Sequence, residues 1–259
     1  MTSIPFFQVD AFAERPLTGN PAAVMPLERW LDDAVMQRIA AENNLAETAF
    51  VVASDDDDAD YDLRWFTPTV EVNLCGHATL ATAHVLIHSD PVRFKTRSGV
   101  LSVARNGDLL ELNMPAARVQ PEGLPELLDA LGTSGETFLG RQGNGNSIVL
   151  VENEAAVRSV KPDFAALARL PYLVSVTARG DEQDVASRVF AAHHGVPEDP
   201  VTGSAHTALV PFWAERLGRN AFTALQASER TGLLHCRLEG DRVILGGHCQ
   251  TVIVGQFQL

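Results

Sequence analysis

Two segments far apart in the chain carry one pattern, and this duplication constrains the fold more than any other feature. They are Leu74-Cys75-Gly76-His77-Ala78-Thr79-Leu80-Ala81 and Val201-Thr202-Gly203-Ser204-Ala205-His206-Thr207-Ala208. Each sets a glycine and a small polar or ionisable residue ahead of an alanine-rich run that reads as a buried helix. A helix N-terminus offers unpaired N–H groups and a partial positive charge, so two such ends facing one cleft are expected to grip an anion. The expected ligand is a small carboxylic acid.

At 259 residues the chain has room for two domains, and the duplicated signal favours two. A 46% hydrophobic content supports genuine cores. The net charge of −13 disfavours nucleic-acid and anionic-membrane partners, which the global field repels. Met1-Thr2-Ser3-Ile4-Pro5 carries no basic region leading into an apolar run, and no segment is apolar enough to span a bilayer. The expected location is the cytoplasm. Three cysteines without regular spacing suit a reducing compartment.

The pattern along the first half predicts strands at 6–12, 49–53 and 61–66, a helix over 31–43 ended by Asn43-Asn44, and hairpin strands at 93–96, 100–104 and 109–114. Ser98-Gly99 and Asn106-Gly107 mark the hairpin turns. The second half repeats this grammar, with strands at 147–151, 172–177, 185–192, 233–238, 242–245 and 251–257. Its helices fall at 124–131, 163–170 and 205–217. Such halves suggest a sheet wrapped around an apolar helix, made twice, with the active cleft between the halves.

Glu47 lies where a polar helix end meets an apolar strand, and desolvation there makes a carboxylate a better base near neutral pH. The position fits a proton shuttle, and it also fits a solvated residue at a strand start. His77 follows a glycine at a helix start, where the positive end is expected to keep the ring neutral. Its parallel with Ser204 favours a function over a merely satisfied polar residue. Cys75 reads either as a thiolate base or as a buried, inert thiol. Asp199 and Ser204 sit in Pro197-Glu198-Asp199-Pro200-Val201-Thr202-Gly203-Ser204, a rigid loop feeding a helix, and Ser204 alone makes a good helix cap. Gly19-Asn20-Pro21 and Gly143-Asn144-Gly145-Asn146-Ser147 form a weaker echo, in which an asparagine amide donates to a carboxylate or merely makes a turn. His84 and His88 are four apart on a helix, but no third ligand has metal spacing, so no metal is expected. Nucleotide-binding glycine patterns are absent.

Val9-Asp10-Ala11-Phe12 through Gly19-Asn20-Pro21, Leu45-Ala46-Glu47-Thr48-Ala49-Phe50, Phe66-Thr67-Pro68 through Cys75-Gly76-His77-Ala78-Thr79, and Asp199-Pro200-Val201-Thr202-Gly203-Ser204-Ala205 together resemble the PhzF-like phenazine-biosynthesis isomerase family. The resemblance spans nearly the whole chain. It implies an α+β, diaminopimelate epimerase-like fold: two pseudo-symmetric domains, each a curled, mostly antiparallel sheet around a central helix. The final strand returns to the first domain, giving 1–116 with 250–259, and 117–249. It further implies Glu47 as the acid/base, with His77, Asp199 and Ser204 beside it as catalytic partners. Asn20, Gly76, Gly203 and Thr202 would line the substrate. No cofactor and a homodimer are implied as well.

Related epimerases use two thiols, and here the second helix start offers only Ser204 or Thr202, hydroxyls too weakly acidic to serve as a second base. The leading expectation is a cofactor-independent isomerase that moves a proton, and a double bond with it, in a small carboxylate-bearing substrate. The alternatives are an epimerase or racemase of a small amino or hydroxy acid, and a non-catalytic small-acid-binding protein.

Overall fold

The computed structural model of the chain describes residues 2–88, 90–140 and 145–259. It divides into two compact units, Met1–Asn113 with Gly246–Leu259, and Met114–Leu245. In chain order the elements are β1 (Ser3–Ala11), β2 (Asn20–Pro26), α1 (Asp33–Asn43), β3 (Glu47–Ala53), β4 (Tyr61–Phe66), β5 (Glu71–Val72), α2 (Gly76–Leu86), β6 (Val92–Thr96), β7 (Gly99–Asn106) and β8 (Leu109–Pro115). Next come β9 (Val119–Pro121), α3 (Pro125–Leu131), β10 (Glu136–Gly140), β11 (Asn146–Leu150), α4 (Glu154–Ser159), α5 (Phe164–Leu167), β12 (Leu173–Arg179) and β13 (Val185–Ala191). The chain closes with β14 (Val196–Asp199), α6 (Gly203–Leu217), β15 (Ala221–Gln226), β16 (Gly232–Glu239), β17 (Arg242–Gly247) and β18 (Cys249–Gln258).

In the first unit the strand order is β18-β1-β2-β3-β4-β6-β7-β8, with β5 also against β4; only β2–β3 and β4–β6 are parallel. The sheet curls around α2, which touches β1, β2, β3 and β7. Every residue of α2 from Gly76 to Ala83 is buried, as expected of a helix made of small residues on all sides. Its buried threonines return their hydroxyls to the backbone, Thr79 to the Cys75 carbonyl at 2.5 Å and Thr82 to that of Ala78 at 2.7 Å. Met36, Ile39 and Ala40 of α1 form a separate cluster with Ile4, Met25, Phe50 and Phe66. Asn44, left-handed at φ 48°, ends α1 with its N–H on the Ala40 carbonyl.

The second unit repeats these pairings. Strand β10 is antiparallel to β11, β11 parallel to β12, β12 antiparallel to β13, β13 antiparallel to β14 and parallel to β15, and β15 antiparallel to β16. Helix α6 takes the place of α2 between corresponding strands, and β9 flanks β10 as β18 flanks β1. The α+β reading and the duplication therefore hold in the strand pairing itself.

Several details depart from the sequence reading. Thr96 pairs with Gly99 and Asn106 with Leu109, so the hairpin loops are Arg97-Ser98 and Gly107-Asp108. The left-handed φ of +60° belongs to Gly107, which therefore leads its loop. Helix α6 starts at Gly203, so Ser204 lies inside the first turn and Thr202 holds the capping position. Helix α2 ends at Leu86, so His88 lies past it and shares no helical face with His84, which contacts the Thr251 hydroxyl at 3.0 Å. Of the Gly143–Ser147 echo, Gly143 and Asn144 lie outside the described residues. No described helix is long and apolar enough to cross a membrane.

Candidate active site

The first unit gathers four of the residues singled out above. Asn20 opens β2 and Glu47 opens β3, which run parallel with Ala22 opposite Glu47. The turn before Asn20 is tight because Gly19 holds φ +69° and a Cβ there would fall 2.3 Å from the Ala11 carbonyl oxygen. The buried Asp10 carboxylate accepts the Leu17 N–H at 2.9 Å and fixes the start of the same loop. Asn20 Nδ2 and Cys75 Sγ both lie against His77 Nδ1, at 3.2 and 3.6 Å. On the other side of the ring, His77 Nε2 is 3.1 Å from Glu47 Oε2, an ion-pair distance off hydrogen-bond alignment. The His77 side chain is 4% exposed and that of Glu47 16%, so the carboxylate is the more accessible end of this chain of groups.

Burial alone would lower the His77 pKa, but Cys75 and the Glu47 carboxylate, facing its two nitrogens, raise it well above the ordinary histidine value. Cys75 and Glu47 thus work against the neutral ring expected from the helix end, while the Asn20 amide, as a donor at Nδ1, works for it. Burial pushes the Cys75 thiol up, the Glu47 charge adds to this, and His77 opposes it. Burial and the Glu47 charge thus work against a Cys75 thiolate, and Glu47 and His77 are the pair best placed to exchange a proton. One donor atom each from Glu47, Cys75 and His77 lies within 4.8 Å of the others, close enough to suggest an ion. The nearest contacts of sulfur and carboxylate are to opposite ring nitrogens, which suits a relay through the imidazole better than a single shared metal.

The second unit builds a different constellation. Asp199 ends β14, and the Thr202 hydroxyl donates to Asp199 Oδ2 at 2.5 Å. Two buried residues missed in the sequence reading hold this turn. Gln226 Oε1 accepts the Thr202 N–H at 2.9 Å, and His206 Nδ1 donates to the Thr202 carbonyl at 2.8 Å. The signal for Gln226 was an alternating strand, Phe222, Ala224 and Gln226 being buried, whose third inward position is polar.

Burial lowers the His206 pKa to about 4, against 6.5 for a free histidine. Between these values the unfolded chain binds a proton that the folded chain does not, so stability falls as pH drops from 6.5 toward 4. The expected loss is about 3 kcal/mol, and His206→Gln should remove it. Urea unfolding of parent and variant at a series of pH values checks this; parallel profiles would exclude His206. His77, with its raised value, works in the opposite sense: its stabilisation is full below the unfolded value near 6.5 and is lost as pH rises through the folded one.

The two duplicated helix starts share one further property. Neither Cys75 at α2 nor Thr202 at α6 caps its helix with a side chain, as is also true at α1 and α3, whereas Asn153 and Asp163 accept the Ala156 and Ala166 N–H groups at α4 and α5. Uncapped first-turn N–H groups are what an anion would need. By topology His77 corresponds to Ser204 and Asn20 to Asn146; in that register Glu47, opposite Ala22, corresponds to Ser175, opposite Ile148. The carboxylate therefore occurs in only one of the two copies.

Comparison with known proteins agrees with this architecture. The family model described as phenazine biosynthesis-like protein (PhzC-PhzF) matches residues 9–255. An uncharacterized isomerase of Pseudomonas aeruginosa is 51% identical over 263 residues, 99% of each chain. A phenazine biosynthesis protein of the PhzF family from Enterococcus faecalis superposes with a TM-score of 0.93 at 43% identity, covering 100% of both chains. A hydroxyproline epimerase of Agrobacterium vitis shares the fold, with a TM-score of 0.62 at 12% identity over 98% of this chain and 92% of its own.

Proposed function

The chain belongs to the phenazine biosynthesis-like (PhzC-PhzF) family, and from that premise we propose that it is an isomerase shifting a proton, and with it a double bond, within a small, cyclic, carboxylate-bearing substrate. The observation that carries the reading is the Glu47–His77 contact of 3.1 Å, in which a buried imidazole backs a more accessible carboxylate. Glu47 takes the proton from one carbon and returns it to another. His77 holds the compensating charge, so the carboxylate need not be stabilised by water when it ionises. In the first unit the N–H groups at Gly76, with Asn20, suit a carboxylate of the substrate; in the second unit the N–H groups at Gly203, with Thr202, suit an anion in the same way, and Asp199 and Ser204 suit orienting or relaying roles. No cofactor is needed for this chemistry. A homodimer belongs to the same proposal, and the three free cysteines suit a cytoplasmic setting.

A thiol-based epimerase is the less favoured reading, since burial and the Glu47 charge push the Cys75 thiol up. One experiment separates these readings: incubation with a panel of cyclic and unsaturated carboxylic acids in heavy water, followed by NMR. The expected result is deuterium at carbon together with a moved double bond. Stereochemical inversion without bond migration would favour the epimerase, and absence of carbon-bound deuterium from every acid that binds would favour a binding protein. Cys75→Ser should keep the exchange rate within about tenfold of the parent, whereas a loss of several orders of magnitude would restore the thiol mechanism.

A further inference from the structure

We infer that Gln226 is a positioning residue that sets the Asp199 carboxylate through Thr202, an inference resting on the role proposed for Asp199. Gln226 ends β15 with 0% exposure, and its amide is used at both ends. Oε1 accepts from the Thr202 N–H at 2.9 Å, while Nε2 donates to the Asp199 carbonyl at 2.7 Å and to the Thr202 hydroxyl oxygen at 3.3 Å. With its oxygen lone pair engaged by that amide, the Thr202 hydroxyl points its own proton at Asp199 Oδ2, 2.5 Å away. One side chain thus binds the first and last residues of the Asp199–Thr202 turn and orders the hydroxyl that addresses the carboxylate.

The turn depends on this brace because regular pairing gives it little support. Strand β14 meets β13 only at Val189↔Asp199 and Ala191↔Val196, with an irregularity between them. Beyond Asp199, Ser228 donates to the Pro200 carbonyl at 2.8 Å, from the segment that follows Gln226. The chemistry required of position 226 is narrow: an acceptor and a donor on one planar group, at full glutamine length. Glutamate would set an acceptor against the Asp199 carbonyl, asparagine is a methylene short, and methionine fills the volume with neither function.

The test is a double-mutant cycle of Gln226→Met and Thr202→Val, read in the deuterium-exchange assay. Each single variant is expected to lower kcat about 10- to 100-fold with little change in KM, and the double variant to be no worse than the poorer single, because both cut one chain of contacts. Parent-level kcat in Gln226→Met, or effects that multiply, would overturn the inference. If Gln226→Met does not fold, Gln226→Asn takes its place in the cycle under the same criteria. A second arm needs no substrate. Hydrogen exchange of the Thr202 amide should be slow in the parent and fast in Gln226→Asn, with mid-helix α6 amides unchanged. Equal Thr202 exchange in the two proteins overturns the inference, even if the parent proves to be no isomerase. Changed Thr202 exchange in a protein without isomerase activity would instead reject the proposed function and leave the clamp standing.

Discussion

Glu47→Gln is expected to lower turnover by about three orders of magnitude while leaving the protein folded and able to bind its acid. The amide keeps the shape of the side chain and removes only its capacity to accept a proton, and general acid–base catalysis contributes roughly 10²–10⁴-fold. The thermal midpoint should also fall measurably, because the carboxylate faces the buried His77 Nε2 at 3.1 Å and the amide removes the charge opposite it. A second readout comes from His77. Burial lowers its pKa, and Glu47 is one of the two groups that overcome this, so its ring should titrate lower in the variant. Deuterium exchange at the parent rate in Glu47→Gln would remove Glu47 from the mechanism. Loss of exchange with an unmoved His77 titration would leave Glu47 catalytic but uncoupled from the ring.

The second large effect is expected at Gly19. In Gly19→Ala the new methyl would fall 2.3 Å from the Ala11 carbonyl oxygen and 2.8 Å from Ala13 Cβ, on a residue at φ +69°. The carbonyl is backbone and cannot swing aside, so the loop must move. Left-handed strain and overpacking together should cost on the order of 4 kcal/mol. The displaced loop carries Asn20 away from His77, so activity should fall even where the protein remains folded. Chemical denaturation and the exchange assay test both parts. A variant within about 1 kcal/mol of the parent would show that the loop yields easily.

What the sequence disclosed, and what it hid, follows from how locally each feature is encoded. The helices α2 and α6 were legible because Gly-His-Ala-Thr-Leu-Ala and Gly-Ser-Ala-His-Thr-Ala leave no polar face, which suits a helix enclosed by a sheet. The hairpin glycines were legible as turns but misplaced by a residue, since composition marks a turn without fixing which residue takes the left-handed position. The contact of Glu47 with His77 was not legible because Glu47 lies thirty positions away and is brought to the ring only by β3. Gln226 went unnoticed for a related reason. Its partners, Asp199 and Thr202, belong to another element, and a single polar residue in an apolar strand is weak information until those partners are in place. The duplicated helix starts suggested a duplicated site, yet Ser175 stands where Glu47 would recur, and only the correspondence of β3 with β12 reveals that asymmetry.

The pairing of β1 with β18 also fixes an order of events during synthesis. Strand β1 leaves the ribosome long before its partner β18, with Thr2 and Leu259 exchanging main-chain hydrogen bonds at 2.9 Å in the finished pair. At about 5–20 residues per second, β1 waits on the order of 10 to 50 s for that partner to be made. The unit Met114–Leu245 is continuous and needs nothing made after it, so it can complete its own sheet during the wait. The nascent first unit, meanwhile, holds β2 on one side of β1 and an open edge on the other, bearing Phe6 and Phe7. Cotranslational chaperones would find their binding site at this open edge, and the arrival of β18 would release them.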